Sequence, residues 1–308
     1  MIYKGILKEN DGNTYIVDEE GKKQLESAGN TKIIAHRGAH KHGLGKPNSM
    51  TAFRDAIKKG FSFFECDVLL SKDNRVVVAH GPGSGYDGGK PDIPIHASTY
   101  EQLSKIDLGN GDTIPLLEDV LREVMKQDRT GLVIEIKETQ DGKDLELARR
   151  VYDIVNDMNA RDRVQCISFS YAQLLEILKK DKSLKCSPIT HCFAGVNQYV
   201  EDGMWGVDFR HDTYDDKLVQ ACKDAELKLN TWTIKKKRHM KKFMAWGFDF
   251  ISTDEPEKCL NLVKRLNVDI SPKTRRRQIL SETKAQAGEL KKHKLTDPDK
   301  IIREERER

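Results

Sequence analysis

The chain has 308 residues, 37% of them hydrophobic and 33% charged, with a formal net charge of +4. That length holds one large α/β domain with appendages, or two ordinary domains. The charge is too mild to point to nucleic acid, and no run approaches the roughly 20 apolar residues of a membrane-spanning helix. The first residues lack a signal-peptide apolar block, which predicts a cytoplasmic protein. Six cysteines, Cys66, Cys166, Cys186, Cys192, Cys222 and Cys259, are scattered without a CxxC pair, which predicts buried free thiols rather than zinc or redox work.

In chain order, "MIYKGILKE" and "TYIVDEE" flank the turn sequence Asn10-Asp11-Gly12-Asn13, predicting a small β-hairpin appendage over 1–30. From Thr31 onwards, apolar runs alternate with helical periodicity. The predicted strands are "KIIAH", "FFECDVLL", "RVVVAH", "GLVIEIK", "VQCISF", "KCSPIT", "GVDF", "KLNTWTI" and "FDFIST". The predicted helices are 49–58, 99–104, 116–126, 144–156, 171–180, 215–225 and 237–245. Continuous apolar strands separated by helices mean a parallel sheet covered on both faces. "RVVVAH" reads as an extension of the second strand, which leaves eight units over 31–268, the number in a (β/α)8 TIM barrel. A doubly wound open sheet has the same periodicity. The Gly/Pro-rich stretch 81–115 is too long for an ordinary connection and predicts a loop beside a site. The segment 269–308 is almost all charge and predicts a helical tail. It either stays solvated or offers Ile279, Leu280, Leu290 and Leu295 to a partner.

Polar residues at strand ends carry the chemistry. His36 and Arg37 end the first strand and His80 ends "RVVVAH". Glu65 and Asp67 are two apart, as are Glu135 and Lys137, so each pair shares one face of its strand. Unpaired buried charges are costly, which leaves a satisfied core network or a convergent site. In the second reading Glu65, Asp67 and Glu135 hold a hard divalent cation, Mg²⁺ or Ca²⁺. Arg37 and Lys137 then face an anion such as phosphate, and the two histidines supply a general acid and a general base.

"IIAHRGA", "NSMTAFRDAIKKGFSFFECDVLLSKDNRVVVAH", "LVIEIKE", "LNTWTI" and "GFDFISTDEPE" together resemble the glycerophosphodiester phosphodiesterase family. The resemblance implies a TIM barrel with its site at the carboxyl ends of the strands. It implies His36 and His80 as catalytic histidines, Glu65, Asp67 and Glu135 as metal ligands, and Arg37 and Lys137 as phosphate-binding cations. Trp232 matches an aromatic of the pocket floor, with a barrel-core tryptophan as the competing reading. Where the family usually has Pro-Glu-Asn-Thr, this chain has Lys46-Pro47-Asn48-Ser49, and Gly81 stands where Asp often follows the second histidine. His40 and His42 in the first loop read as surface residues.

The resemblance implies cleavage through a cyclic phosphate that water opens. Small glycerophosphodiesters are the expected substrates. A glycerol-phosphate polymer such as teichoic acid is the alternative, on a protein borne by a phage tail or virion and attached through 1–30 and 269–308. A non-catalytic polyol-phosphate binder is the third reading, and such a binder has no need of both histidines.

Overall fold

A computed structural model describes residues 6–10, 13–16, 30–81, 94–190, 195–212 and 216–270. Near the N-terminus, β1 (Ile6–Asn10) pairs antiparallel with β2 (Asn13–Ile16). The central sheet is built from short apolar runs: β3 (Lys32–Ala35), β4 (Phe63–Leu70), β6 (Gly131–Ile136), β7 (Val164–Ser168), β8 (Cys186–Thr190), β9 (Gly206–Arg210), β10 (Lys228–Trp232) and β11 (Phe250–Thr253). Their hydrogen-bonded order is β10-β9-β8-β7-β6-β4-β3-β11, with every neighbouring pair parallel. Just beyond the end of β10, the Ile234 amide donates to the Ser252 carbonyl of β11 at 2.9 Å and the Thr253 hydroxyl of β11 donates to the Ile234 carbonyl. The sheet is thus a nearly closed eight-stranded barrel, the TIM architecture, rather than an open sheet.

"RVVVAH" does not extend the second strand. Its Val76–Val78 forms β5, folded back antiparallel on β4 with Val68 opposite Val78. The turn between them is held by the Ser71 hydroxyl, which donates to Asp73 at 2.7 Å and accepts from the Arg75 amide at 2.9 Å. Asn74 takes up left-handed backbone there, with φ 58°. This reversal has a functional result: Ala79 bonds to the Asp67 carbonyl at 3.1 Å, so His80 returns to the strand end that carries Asp67.

Helices cover the outside of the barrel. They are α1 (Met50–Lys59), α2 (Tyr100–Leu103), α3 (Leu117–Met125), α4 (Asp144–Asp157), α5 (Tyr171–Lys180), α6 (Val196–Glu201), α7 (Asp216–Asp224), α8 (Lys237–Ala245) and α9 (Pro256–Ile270). α1 shows why they form where they do. Ser49 caps its first turn, Gly60 ends it with φ 72°, and Ala52, Phe53 and Ala56 make the buried stripe. Phe53 then stacks on Phe64 of β4 at 4.8 Å. The sequence pattern missed α6 and α9. α6 has six residues and none of them is buried, so it has no buried stripe to read, and α9 starts at Pro256, directly after the strand segment "FDFIST".

Inside the barrel, Ile34, Val133, Ile167, Ile189 and Phe250 pack as one cluster with the partly buried Phe63, Trp205 and Trp232. A separate small core of Leu69, Val77, Ala79, Ile95, Leu103, Leu108, Ile114 and Leu116 lies under the described part of the long loop. Cys66, Cys166, Cys186, Cys222 and Cys259 are buried free thiols, and Cys192 lies outside the described residues. So do the hairpin's Asp11-Gly12, residues 82–93 of the loop and the tail beyond Ile270. No helix among the described residues is long and apolar enough to cross a membrane.

Candidate active site

Strand parity delivers the site. Two residues beyond Ile34 lies His36, and two and four beyond Phe63 lie Glu65 and Asp67. Two and four beyond Val133 lie Glu135 and Lys137. The faces that are apolar deep in the barrel therefore become polar at its carboxyl end. The register places Asp67 directly opposite Glu135.

The loop after β3 is shaped by backbone conformation as much as by side chains. Arg37 has φ 55° and Gly38 φ 83°. A Cβ at Gly38 would sit 2.8 Å from the Ala52 Cβ and 2.9 Å from its carbonyl carbon, so only glycine lets this loop lie on α1. The unusual backbone of Arg37 costs about 1 kcal/mol and aims its amide at Glu65 Oε2, 2.9 Å away. Its Nε lies 3.0 Å from Asp67 Oδ2. Asn48, also left-handed at φ 61°, donates from Nδ2 to Asp67 Oδ2 at 2.8 Å and accepts from the Asp67 amide at 3.2 Å. Of the Pro-Glu-Asn-Thr pattern, this chain thus keeps the residue that fixes Asp67.

Glu65, Asp67 and Glu135 are buried, and each offers a carboxylate oxygen within 4.8 Å of the other two. Lys137 Nζ lies 2.6 Å from Glu135 Oε1 and 3.3 Å from Asp67 Oδ1. Three carboxylates therefore face two cations, and one negative charge is left over. Burial, then repulsion from Asp67 and Glu135, pushes the Glu65 carboxyl well above its usual range. Burial and Asp67 push Glu135 up to about 7 against the pull of Lys137. Burial would raise Asp67 too, but Arg37, Lys137, His80 and the Asn48 hydrogen bond outweigh it and hold that carboxyl well below the usual range. Glu65 Oε1 and Asp67 Oδ1 are buried and accept no hydrogen bond. Clustered hard oxygens with surplus negative charge and unused lone pairs can hold a metal ion.

His36 Nδ1 donates to Asp254 Oδ1 at 2.7 Å, and its Nε2 lies 3.9 Å from Glu65 Oε2. Burial would raise Asp254, but the bond to His36 and the charges of His36, His40 and Lys235 hold it well below the carboxylate range. An ionised carboxylate only accepts, so the Nδ1 proton is fixed and Nε2 is left to face the site. Sequence reasoning did not single out Asp254. Its signal was parity in "FDFISTD": Phe250, Ser252 and Asp254 share the inward face.

His80 lies close enough to feel the charges of Asp67, Lys137, Arg37 and His36. Burial pushes its imidazole down to about 4, aided by the charges of Lys137, Arg37 and His36 and opposed by Asp67. A cavity of ≈ 260 Å³ opens beside it, lined by Glu135, Lys137, Ile95, His96 and Phe169 among others. Trp232 meets Phe169 edge-to-face at 5.7 Å and packs on the interior apolar cluster, so Phe169 is the aromatic that lines this cavity. His36, Arg37, Glu65, Asp67, Glu135 and Lys137 thus form one connected network, with His80 at its edge and Trp232 one layer away. His42 is not idle: with Lys41 and Lys258 it converges on the buried Glu255, tying the first loop to the start of α9.

The family model of glycerophosphoryl diester phosphodiesterases matches residues 36–258, which span every one of these groups. The chain belongs to that family. A glycerophosphodiester phosphodiesterase of Caldanaerobacter subterraneus subsp. tengcongensis is 28% identical over 265 residues, covering 76% of this chain and 98% of that protein. The crystal structure of a glycerophosphodiester phosphodiesterase from Parabacteroides distasonis superposes with a TM-score of 0.69 at 28% identity, covering 76% of this chain and 97% of that one. An Oleispira antarctica phosphodiesterase, solved in complex with the product sn-glycerol-3-phosphate, has the same fold, with a TM-score of 0.68 at 22% identity over 76% of this chain and 96% of that one.

Proposed function

We propose that the protein hydrolyses glycerophosphodiesters to a glycerol phosphate and an alcohol. In this reading His36 and His80 transfer protons, and Glu65, Asp67 and Glu135 hold one divalent cation, Mg²⁺ or Ca²⁺. The observation that carries it is the meeting of three carboxylate oxygens within 4.8 Å of one another, beside two imidazoles and two cationic side chains at one barrel mouth. Family membership and the relatives named above support the same chemistry.

When bound, the cation supplies charge stabilisation for the phosphoryl oxygens. The side chains do the rest. Arg37 and Lys137 bind the non-bridging oxygens of the phosphate, which the carboxylates hold them ready to meet. A glycerol hydroxyl next to the phosphoester attacks phosphorus while one imidazole takes its proton. The other imidazole protonates the departing alkoxide as its P–O bond breaks. Water then opens the cyclic phosphate with the proton transfers reversed. Asp254 keeps His36 in one tautomer and stabilises its charged form. Phe169 offers apolar surface to the glycerol carbons, with Trp232 packed edge-to-face against it.

A small-molecule substrate suits a cytoplasmic enzyme, and a wall polymer would suit a virion-borne one. Residues 1–30 and 269–308 flank the barrel domain of 31–268 and serve as assembly contacts in the second case.

The test is hydrolysis of glycerophosphocholine by the purified protein with Mg²⁺, with Ca²⁺ and with chelator. Choline release that falls on the order of 10³-fold on chelation is expected. Full activity in chelator, or no hydrolysis with either cation, would contradict the reading.

A further inference from the structure

Gln173 is a polar side chain in a place that apolar ones usually fill. It sits in the first turn of α5, and both Gln173 and Ser168, the last residue of β7, are 0% exposed. Burying such groups is costly unless their polar atoms find partners. Every side-chain bond of Gln173 goes to Ser168 or to the main chain around the active end of β6.

The register between β6 and β7 stops with Glu135 opposite Ile167. Beyond that row, side chains take over from the ladder. The Ser168 hydroxyl lies 2.7 Å from the Ile136 carbonyl and 2.6 Å from Gln173 Oε1, so its one proton serves either acceptor. Its oxygen accepts from the Ser170 amide at 3.0 Å. Gln173 Nε2 donates to the Lys137 carbonyl at 3.0 Å and to the Asp144 carbonyl at 3.2 Å. Carbonyls only accept, which fixes the orientation of the side-chain amide.

We propose that Gln173, supported by Ser168, is a positioning residue for the phosphodiesterase site: it clasps the two ends of loop 138–143 and so sets where Lys137 and Glu135 stand. The inference rests on the phosphodiesterase reading above and adds to it a residue that touches neither substrate nor cation.

The clasp has leverage because of where it grips. Lys137 and Asp144 flank the loop, and one amide group holds both. Between them, Glu138, Thr139 and Gln140 line the cavity beside His80. The Thr139 amide donates to Asp144 Oδ1 at 2.5 Å, which closes the same loop a second time. On the other side of the strand, the Lys137 amide donates to the Val68 carbonyl at 3.2 Å. The backbone of Lys137 is thus held through its amide by β4 and through its carbonyl by Gln173. Its ammonium is left to meet Glu135 Oε1 and Asp67 Oδ1. With the ladder ended at Ile167, the chain after Ser168 turns Phe169 into the same cavity. Groups that bind phosphate and cation lose much of their effect when displaced by even about 1 Å.

The other end of β6 supplies a control. Gln127 donates to the Val124 and Thr130 carbonyls at 2.9 and 2.8 Å and accepts from the Arg129 and Thr130 amides at 2.9 and 2.8 Å. It is a clasp of the same kind, before the strand and away from the site.

The test compares the wild type, Gln173→Met and Gln127→Met in steady-state hydrolysis of glycerophosphocholine, in calorimetric titration of Mg²⁺ and in thermal melting. Methionine removes the donors at nearly constant volume. In Gln173→Met the cation Kd should rise roughly tenfold. kcat/KM should fall by about the same factor, with most of the loss in KM, because Lys137 binds phosphate in the ground state as well as the transition state. Gln127→Met should lower the thermal midpoint and leave KM and cation affinity within about twofold. Wild-type KM and cation affinity in Gln173→Met, with an active wild type, overturn the clasp alone. Equal kinetic and affinity changes in Gln127→Met also overturn it, since general loosening then accounts for both. A wild type that binds the cation and is inert on glycerophosphocholine overturns the phosphodiesterase reading itself. If Gln173→Met does not fold, Ser168→Ala takes its place, with KM and cation Kd each expected to rise roughly threefold; no change in either overturns the proposal.

Discussion

Replacing His36 by alanine is expected to lower kcat/KM on glycerophosphocholine by about 10²-fold or more, and His80→Ala by a similar factor. Both losses should appear in kcat, because a proton transfer is made in the transition state and not in substrate binding. The two substitutions should differ in what else they disturb. His36 is tied to Asp254 at 2.7 Å, so its removal leaves a partly buried carboxylate with Lys235 as its remaining close cation. His80 lies two residues beyond β5 at the edge of a cavity, and truncating it enlarges that cavity. Neither change touches the main apolar core, so the thermal midpoint of each variant should stay within a few degrees of the wild type. Steady-state kinetics beside a melting curve make the check. Near-full activity in His36→Ala with cation present would remove His36 from the mechanism.

Asp67→Ala should have the largest effect on stability of any single change in the site. Asp67 is fully buried, and its carboxylate meets the Arg37 guanidinium, the Lys137 ammonium and the Asn48 amide together. Without it, the buried Arg37 and the partly buried Lys137 lose their shared counter-ion. Breaking a buried ion pair in this one-sided way costs about 3–5 kcal/mol, which lowers the thermal midpoint by roughly 10 °C for a domain of this size. Asp67→Asn keeps the shape and the Asn48 contact but not the charge, and should fall between the variant and the wild type. Activity should be lost in both, since Asp67 is also one of the three proposed cation ligands. A wild-type melting temperature in Asp67→Ala would mean that Arg37 and Lys137 find other partners at no cost.

Much of this site could be read before any coordinates, for a simple reason. In a parallel barrel the inward face of each strand is fixed by parity, so Glu65 with Asp67, and Glu135 with Lys137, had to share a side. Burial made such charges meaningful. The strand count worked for the same reason, since apolar runs covered on both faces stand out from amphipathic helices. Two kinds of feature escaped. Asp254 acts through His36 from a strand distant in sequence: parity in "FDFISTD" puts it on the inward face, but nothing in that segment names His36 as its partner. The reversal of β5 depends on the Ser71 hydroxyl and the left-handed Asn74, a turn whose geometry decides direction while the apolar pattern of "RVVVAH" stays the same. Asn48 was visible as a residue but not as the clamp on Asp67, because that contact crosses from loop to strand.

The proposed reaction centre stands or falls with a cation bound between the carboxylates of β4 and β6. Calorimetric titration of Mg²⁺, Ca²⁺ or Mn²⁺ into the metal-stripped protein tests this directly, beside the same titration of Glu65→Gln. One ion bound per wild-type chain, with binding weakened at least about 10-fold in the variant, is the predicted result. No binding, or an affinity indifferent to Glu65, would contradict it.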